Sequence, residues 1–180
     1  ISDYNLTYPA ILKPRKGRSS EGIKFINNES DLNYKFKSLS DYIIQPYFEG
    51  DIYTVDYIRE KKSTKHFSIS RRELIRTKNG AGLTVEIMYN KILEETVAYI
   101  GDKLNINGCI NFEFIYSNNT FYLMDINPRF SAGIAFSNIA GYDMVLNSLN
   151  CFIGAEIEAP ITFKSMIIAK KYTEIITETK

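Results

Sequence analysis

Along the chain, stretches in which every second residue is apolar alternate with stretches of helical spacing. No repeat, low-complexity segment or obvious linker interrupts them. Tyr8-Pro9-Ala10-Ile11-Leu12-Lys13-Pro14 is a short apolar strand ending in a lysine, and residues 22–26 read as its return strand. Residues 28–39 put Leu32, Phe36 and Leu39 on one stripe behind a cap at Asn28 or Ser30, which predicts a short amphipathic helix. An apolar strand over 41–45 runs into a bend marked by Pro46 and Gly50, and 51–58 alternate as a strand. A polar turn over 59–65 leads to a strand at 66–70. The basic run after it, Arg71, Arg72, Arg76 and Lys78, reads as a mobile loop ending in Gly80 and Gly82. Ile92, Leu93, Val97, Ile100 and Leu104 recur at helical spacing and predict a packed helix over 89–104. A second helix is expected from about 142 to 152, and a last strand at 161–168.

The most informative pattern is a hairpin, with strands at 108–116 and 121–127 around Ser117-Asn118-Asn119-Thr120. In an extended strand residues two apart share a face, so Asp125, Asn127 and Arg129 point one way, with Met124, Ile126 and Pro128 turned to a core. On the first strand Asn111 and Glu113 share a face. A three-residue loop, Asn118-Asn119-Thr120, sets Glu113 opposite Asp125 and Asn111 opposite Asn127; a four-residue loop sends the two polar sets to opposite faces. Asparagine tolerates the left-handed backbone that the first register needs. Carboxylates facing each other across a sheet call for compensation, and Mg²⁺ accepts one or two of them together with substrate phosphates. A solvated sheet face with incidental charges is the competing reading.

Composition narrows the class. The 22 Lys+Arg and 21 Asp+Glu leave a net charge of +1, which argues against a nucleic-acid footprint. No apolar run reaches the length of a membrane span. Cys109 and Cys151 stand apart in apolar surroundings and read as buried free thiols, which points to a reducing, cytoplasmic setting. One histidine, His66, leaves no room for a multi-histidine metal site. The loop Arg15-Lys16-Gly17-Arg18-Ser19-Ser20-Glu21-Gly22 offers backbone N–H groups and positive charge to a polyphosphate, although an ordinary basic hairpin tip has the same composition. Gly17 and Gly22 have Walker A spacing, but Ile23-Lys24 follow where Lys-[Ser/Thr] is required, and an extended run replaces the helix.

In this order, the lysine-ended strand, the glycine/serine loop, the segment Ile44-Gln45-Pro46-Tyr47, the strand Asn111-Phe112-Glu113 and the motif Asp125-Ile126-Asn127-Pro128-Arg129 resemble the ATP-grasp superfamily. The resemblance covers about residues 8–152 and is nearest to the carbamoyl phosphate synthetase large subunit and related carboxylate–amine ligases. It implies an α+β fold of two lobes, about 8–48 and about 49–180, gripping ATP between antiparallel sheets. It further implies that Lys13, Ser19, Ser20 and Gly22 hold phosphates, and that Gln45, Pro46 and Tyr47 line the adenine. Glu49 is the candidate for the ribose, Glu113, Asp125 and Asn127 for Mg²⁺ (or Mn²⁺), and Arg129 with Lys13 for catalysis. Asp125 stands where a glutamate is commoner in the family, and no residue matches the usual ribose glutamate cleanly.

The implied reaction activates a carboxylate as an acyl phosphate for attack by an amine or ammonia, these being the small-molecule partners. A non-catalytic nucleotide-binding or regulatory domain is the alternative. Neither nucleic acid nor membrane is expected as a partner, while the resemblance leaves room for a homodimer. The family's preceding α/β domain has no counterpart, and the chain starts at Ile1 rather than methionine. Both are expected of an incomplete fragment.

Overall fold

A computed structural model describes residues 6–16, 21–35, 40–78, 80–173, 176 and 178. They belong to two compact units, Ile1–Glu49 with Lys78–Gly80, and Gly50–Thr77 with Ala81–Lys180.

The first unit carries a three-stranded antiparallel sheet in which β1 (Ala10–Pro14) lies between β2 (Lys24–Ile26) and β3 (Tyr42–Pro46). The apolar alternation of these strands gives the sheet one dry face. Ala10, Leu12 and Ile26 turn to it and pack with Leu32 of helix α1 (Glu29–Lys35). Asn28 starts that helix, its Oδ1 accepting from the Asp31 N–H at 2.9 Å. Ile11, Lys13, Phe25, Ile43 and Gln45 occupy the opposite face, since partners across an antiparallel pair share a face. Phe36 and Leu39, expected on the helix stripe, lie outside the described residues.

The second unit is a six-stranded antiparallel sheet with helices on both faces. Its strands are β4 (Asp51–Arg59), β5 (His66–Arg76), β6 (Gly82–Met88), β7 (Gly108–Ser117), β8 (Thr120–Asn127) and β9 (Met166–Ala169), in the order β8-β7-β4-β5-β6-β9. Helix α2 (Lys91–Lys103) covers one face and lies in the expected 89–104 window. Asn90 caps it by accepting from the Leu93 N–H at 3.1 Å. Leu93 and Val97 pack there on Tyr53, Val55, Tyr57, Ile110, Phe112 and Phe114, each buried side chain contributing about 1.5–3 kcal/mol.

The other face is divided. Its apolar half, with Ile58, Phe67, Ile69, Val85, Ile87 and Cys109, packs beneath α3 (Ile134–Ile139) and α4 (Met144–Ile153) through Phe136, Met144 and Cys151. Both cysteines are free and buried, and burial pushes the Cys109 thiol up. The polar half of the face is left to charged side chains.

Several expectations change. Arg71–Arg76 continue β5 rather than forming a mobile loop, and β6 follows where no strand was expected. Charged residues at inward positions hide the alternation there. The short helix α3 is new, and the last strand is confined to Met166–Ala169. The hairpin turn holds two residues, not three: Ser117 pairs with Thr120, while Asn118 and Asn119 have φ of 48° and 59°, the paired left-handed geometry of a tight hairpin. Among the described residues no helix is long and apolar enough to cross a membrane.

Candidate functional site

Two irregularities in the large sheet assemble its polar half. With a two-residue turn, regular pairing from Ser117–Thr120 onward would bring Met124 opposite Glu113 and turn Asp125 to the face of α2. Instead β8 carries one extra residue between Leu123 and Asp125, because Phe114 pairs with Leu123 but Glu113 with Asp125. The bulge restores the pairs Glu113–Asp125 and Asn111–Asn127, which the sequence obtains from a longer loop. A second disturbance lies between β5 and β6, where Glu73 pairs with Val85, Ile75 with Thr84 and Arg76 with Gly82. Its net effect is to bring Arg76 to the face of Glu73. Bulges of this kind re-aim side chains beside functional sites.

The resulting surface is one connected polar network. Asp56 pairs in register with Asn111, and Thr54 with both Glu113 and Arg71. Arg71 is fully buried, its Nη1 donating to Asp56 Oδ2 at 2.7 Å and its Nε to Glu73 Oε1 at 3.1 Å. Burial alone would favour the neutral guanidine, but Asp56 and Glu73 outweigh it and hold Arg71 charged. Thr54 Oγ1 also donates to Glu73 Oε1, and Ser137 Oγ to Asp56 Oδ2. Toward β8, Asn111 Nδ2 reaches Asp56 Oδ1, and Asn127 Nδ2 reaches both Asn111 Oδ1 and Glu113 Oε1, each at 3.4 Å. Arg76 Nη2 lies 3.2 Å from Glu113 Oε2.

The same network grips the chain as it leaves β8. Arg71 Nη2 donates to Ser131 Oγ at 3.0 Å. A Cβ on Gly133 would stand 3.0 Å from that nitrogen, so the backbone passes close to the guanidinium. Arg129 lies past the strand end and is exposed. Its Nη2 nevertheless donates to Asn127 Oδ1 at 3.1 Å and its Nη1 to the Phe130 carbonyl at 2.9 Å, which keeps it beside the Asn127 side chain. Pro128, expected inward, is exposed. The sequence reading missed Asp56, Arg71, Glu73 and Arg76 as members of this surface. The alternation of β4 held the signal for Asp56; the β5 irregularity concealed Arg76.

In the small unit, Lys13 and Gln45 sit on the same open sheet face, flanking Ile11. Tyr47 stands edge-on to Phe25, ring centroids 4.9 Å apart, and its N–H donates to the Pro9 carbonyl. Pro46 pairs with Ala10 and turns to the other face, away from Lys13 and Gln45. Gly22 closes the basic loop with φ of +75°, a left-handed conformation natural to glycine. Glu49 is exposed. Ser19 and Ser20 lie outside the described residues.

The large-unit surface suits a hard divalent cation. Glu113 and Asp125 are direct cross-strand partners, and a divalent cation would offset the repulsion between like charges so placed. Four carboxylates (Asp56, Glu73, Glu113, Asp125) share the polar half with the guanidiniums of Arg71 and Arg76. Among the described residues no three His, Cys, Asp or Glu side chains gather as a metal cage. Two carboxylates and the Asn127 carboxamide are the partial oxygen set that Mg²⁺ accepts when phosphates complete its shell.

The chain belongs to the ATP-grasp family: the family model for "ATP-grasp in the biosynthetic pathway with Ter operon" matches residues 38–175, and the fold is the family's α+β fold. Its relatives include the carbamoyl phosphate synthase large chain of Sulfurisphaera tokodaii, 26% identical, covering 73% of this chain and 14% of the relative. The D-alanine–D-alanine ligase of Petrotoga mobilis is 38% identical over 31% of this chain and 20% of its own length. Among solved structures, N5-carboxyaminoimidazole synthetase from Staphylococcus aureus complexed with ADP superposes with a TM-score of 0.72 at 21% identity, over 89% of this chain and 45% of that one. The biotin carboxylase domain dimer of Hydrogenobacter thermophilus 2-oxoglutarate carboxylase, in complex with MgADP, ADP and bicarbonate, gives 0.75 at 18% identity, over 89% and 41%. This chain therefore spans a fifth or less of the two curated relatives and under half of these structures.

Proposed function

We propose that this chain is the ATP-binding part of a Mg²⁺-dependent ligase that activates a carboxylate for attack by an amine or ammonia. The observation that carries the reading is the opposition of Glu113 and Asp125, with Asn127 and Arg129 beside them, in a chain of ATP-grasp descent. Structural relatives complexed with ADP and with MgADP support the nucleotide and the metal.

In this reading Glu113, Asp125 and Asn127 hold the cation, the Asn127 carbonyl using the lone pair that Arg129 leaves. When bound, Mg²⁺ supplies charge neutralisation to the phosphates. Lys13, the backbone N–H groups near Gly22, and Ser19 and Ser20 receive the phosphate oxygens. Gln45, Pro46 and Tyr47 line the base, Pro46 through its main chain, and Glu49 faces the ribose. A carboxylate oxygen attacks the γ-phosphorus as the bond to ADP breaks. The amine then attacks the acyl carbon and phosphate leaves. Arg129 lowers the barrier by pairing with negative charge that grows on the transferring group.

The test is release of ADP and phosphate by this chain, and by the intact gene product, with bicarbonate plus ammonia and with a panel of amino acids. Acceptor-dependent release by the gene product that Arg129→Ala lowers about a hundredfold or more supports the reading, such an electrostatic contact being worth that much. Nucleotide binding without release under any acceptor would instead establish the non-catalytic, regulatory alternative.

A further inference from the structure

Helix α4 has its amphipathicity inverted. Met144, Asn147, Ser148 and Cys151 are buried, while Val145, Leu146, Leu149, Phe152 and Ile153 are between 46% and 71% exposed. A surface helix ordinarily turns its apolar stripe inward, as α2 does with Leu93 and Val97 inside and Lys91, Glu95 and Asp102 outside. Hydrogen bonds hold the inner side of α4. Asn147 Nδ2 donates to Glu158 Oε2 at 2.8 Å, Ser148 Oγ accepts from the Cys109 N–H at 3.1 Å, and the Cys151 thiol donates to the Arg59 carbonyl at 3.4 Å. The outer stripe is left to another surface, and no charged residue lies between Met144 and Ile153.

That stripe is symmetric about Leu149. At about 100° per residue its five side chains span an arc of about 120°, with Leu149 at the centre. Leu149 also lies near the middle of the helix. Leu146 and Phe152 stand at equal distances along the chain to either side of it, and so do Val145 and Ile153. An identical helix laid antiparallel across it, the two Leu149 side chains facing, sets Leu146 beside Phe152 of the second copy and Val145 beside Ile153. Each apolar position meets an apolar one, and no charge enters the seam. A two-fold contact requires this self-complementarity. At about 100 Å² apiece the five side chains offer roughly 500 Å² per copy, hence roughly 1,000 Å² between two copies, the low end for a specific interface.

We propose that α4 is the contact of a two-fold homodimer, packed antiparallel on α4 of a second copy about Leu149. The proposal is independent of the nucleotide and the metal. Sedimentation equilibrium of the full chain over a concentration series should show a reversible monomer–dimer equilibrium. Leu149→Glu should remain monomeric throughout, with unchanged circular dichroism and melting because Leu149 is exposed. Leu149→Lys should do the same alone, yet an equimolar mixture of the two variants should regain the dimer, since opposite charges then meet at the two-fold axis. Under mild oxidation Leu149→Cys should cross-link to a dimer, while the buried Cys109 and Cys151 leave the unmodified chain uncross-linked. An unmodified chain that stays monomeric at every concentration overturns the proposal, as does a dimer that Leu149→Glu leaves intact. The intact gene product tests the rival occupant: Leu149→Cys that neither cross-links nor reacts with a maleimide would show the stripe covered within one molecule, and the dimer contact would fall.

Discussion

At the scale of single residues, Arg71 and Asp125 separate holding the fold from holding a ligand. Arg71 is buried between Asp56 and Glu73, and those carboxylates have no route to water. Arg71→Met should therefore cost about 3–5 kcal/mol, because removing one partner strands the charges of the others. A large drop in the denaturant midpoint checks this; a change under about 1 kcal/mol contradicts the account of the network, being the size of an ordinary surface substitution. Glu73 deepens the expectation, since its buried Oε2 has no hydrogen-bond partner among the described residues and leans on the charge of Arg71. Asp125 is half-buried and pairs across the strands with another carboxylate. Asp125→Asn removes charge but little volume at a half-buried position, so the fold should stay intact, which an unchanged denaturant midpoint checks.

Among the elements, the β7–β8 hairpin holds most of the candidate site, and its geometry rests on two features with separate consequences. The first is the turn, where Asn118 and Asn119 both adopt left-handed backbone. Asn118→Val should destabilise the hairpin by about 1–2 kcal/mol, the cost of forcing a β-branched residue into that region; an unchanged melting temperature would contradict the turn assignment. The second is the bulge at Met124. Deleting Met124 should let regular pairing run on from the turn with Asp125 still opposite Glu113, so the hairpin should persist in circular dichroism and metal binding should survive. Loss of Mn²⁺ affinity in that variant, with the hairpin intact, would contradict the placing of the extra residue at Met124.

The hairpin also shows how much a sequence reveals. Alternation in 110–114 and 125–127 was enough to place the two polar sets. Their pairing, however, was obtained by lengthening the turn when the extra residue sits inside β8. A one-residue bulge leaves no compositional trace, because Met124 is as acceptable in a strand as in a bulge. The β5 strand was hidden for a related reason: Arg71 and Glu73 read as loop residues until Asp56 and Thr54 on the neighbouring strand supply their partners. Glycine and asparagine signals, by contrast, marked Gly22 and Asn118-Asn119 directly, since left-handed backbone is chemically selective.

For the whole molecule, family membership fixes the fold, and the large-unit sheet offers the proposed cation a place. One of its faces packs on α2 through an apolar cluster. The other is apolar beneath α3 and α4 and charged where β4, β5, β7 and β8 meet. Concentrating carboxylates there calls for counter-charge, which Arg71 and Arg76 supply in the structure and a divalent cation would add to in the proposed function. The central claim is that Glu113 and Asp125 couple Mg²⁺ to nucleotide binding. Its most direct measurement is calorimetric titration of ADP into the chain with excess Mg²⁺ and again with EDTA, for the unmodified protein and for Asp125→Asn. The account predicts that Mg²⁺ tightens ADP binding to the unmodified chain, and that Asp125→Asn loses about tenfold or more of that gain while melting normally. Equal Mg²⁺-dependent affinity in the two proteins, with Asp125→Asn natively folded, would contradict it.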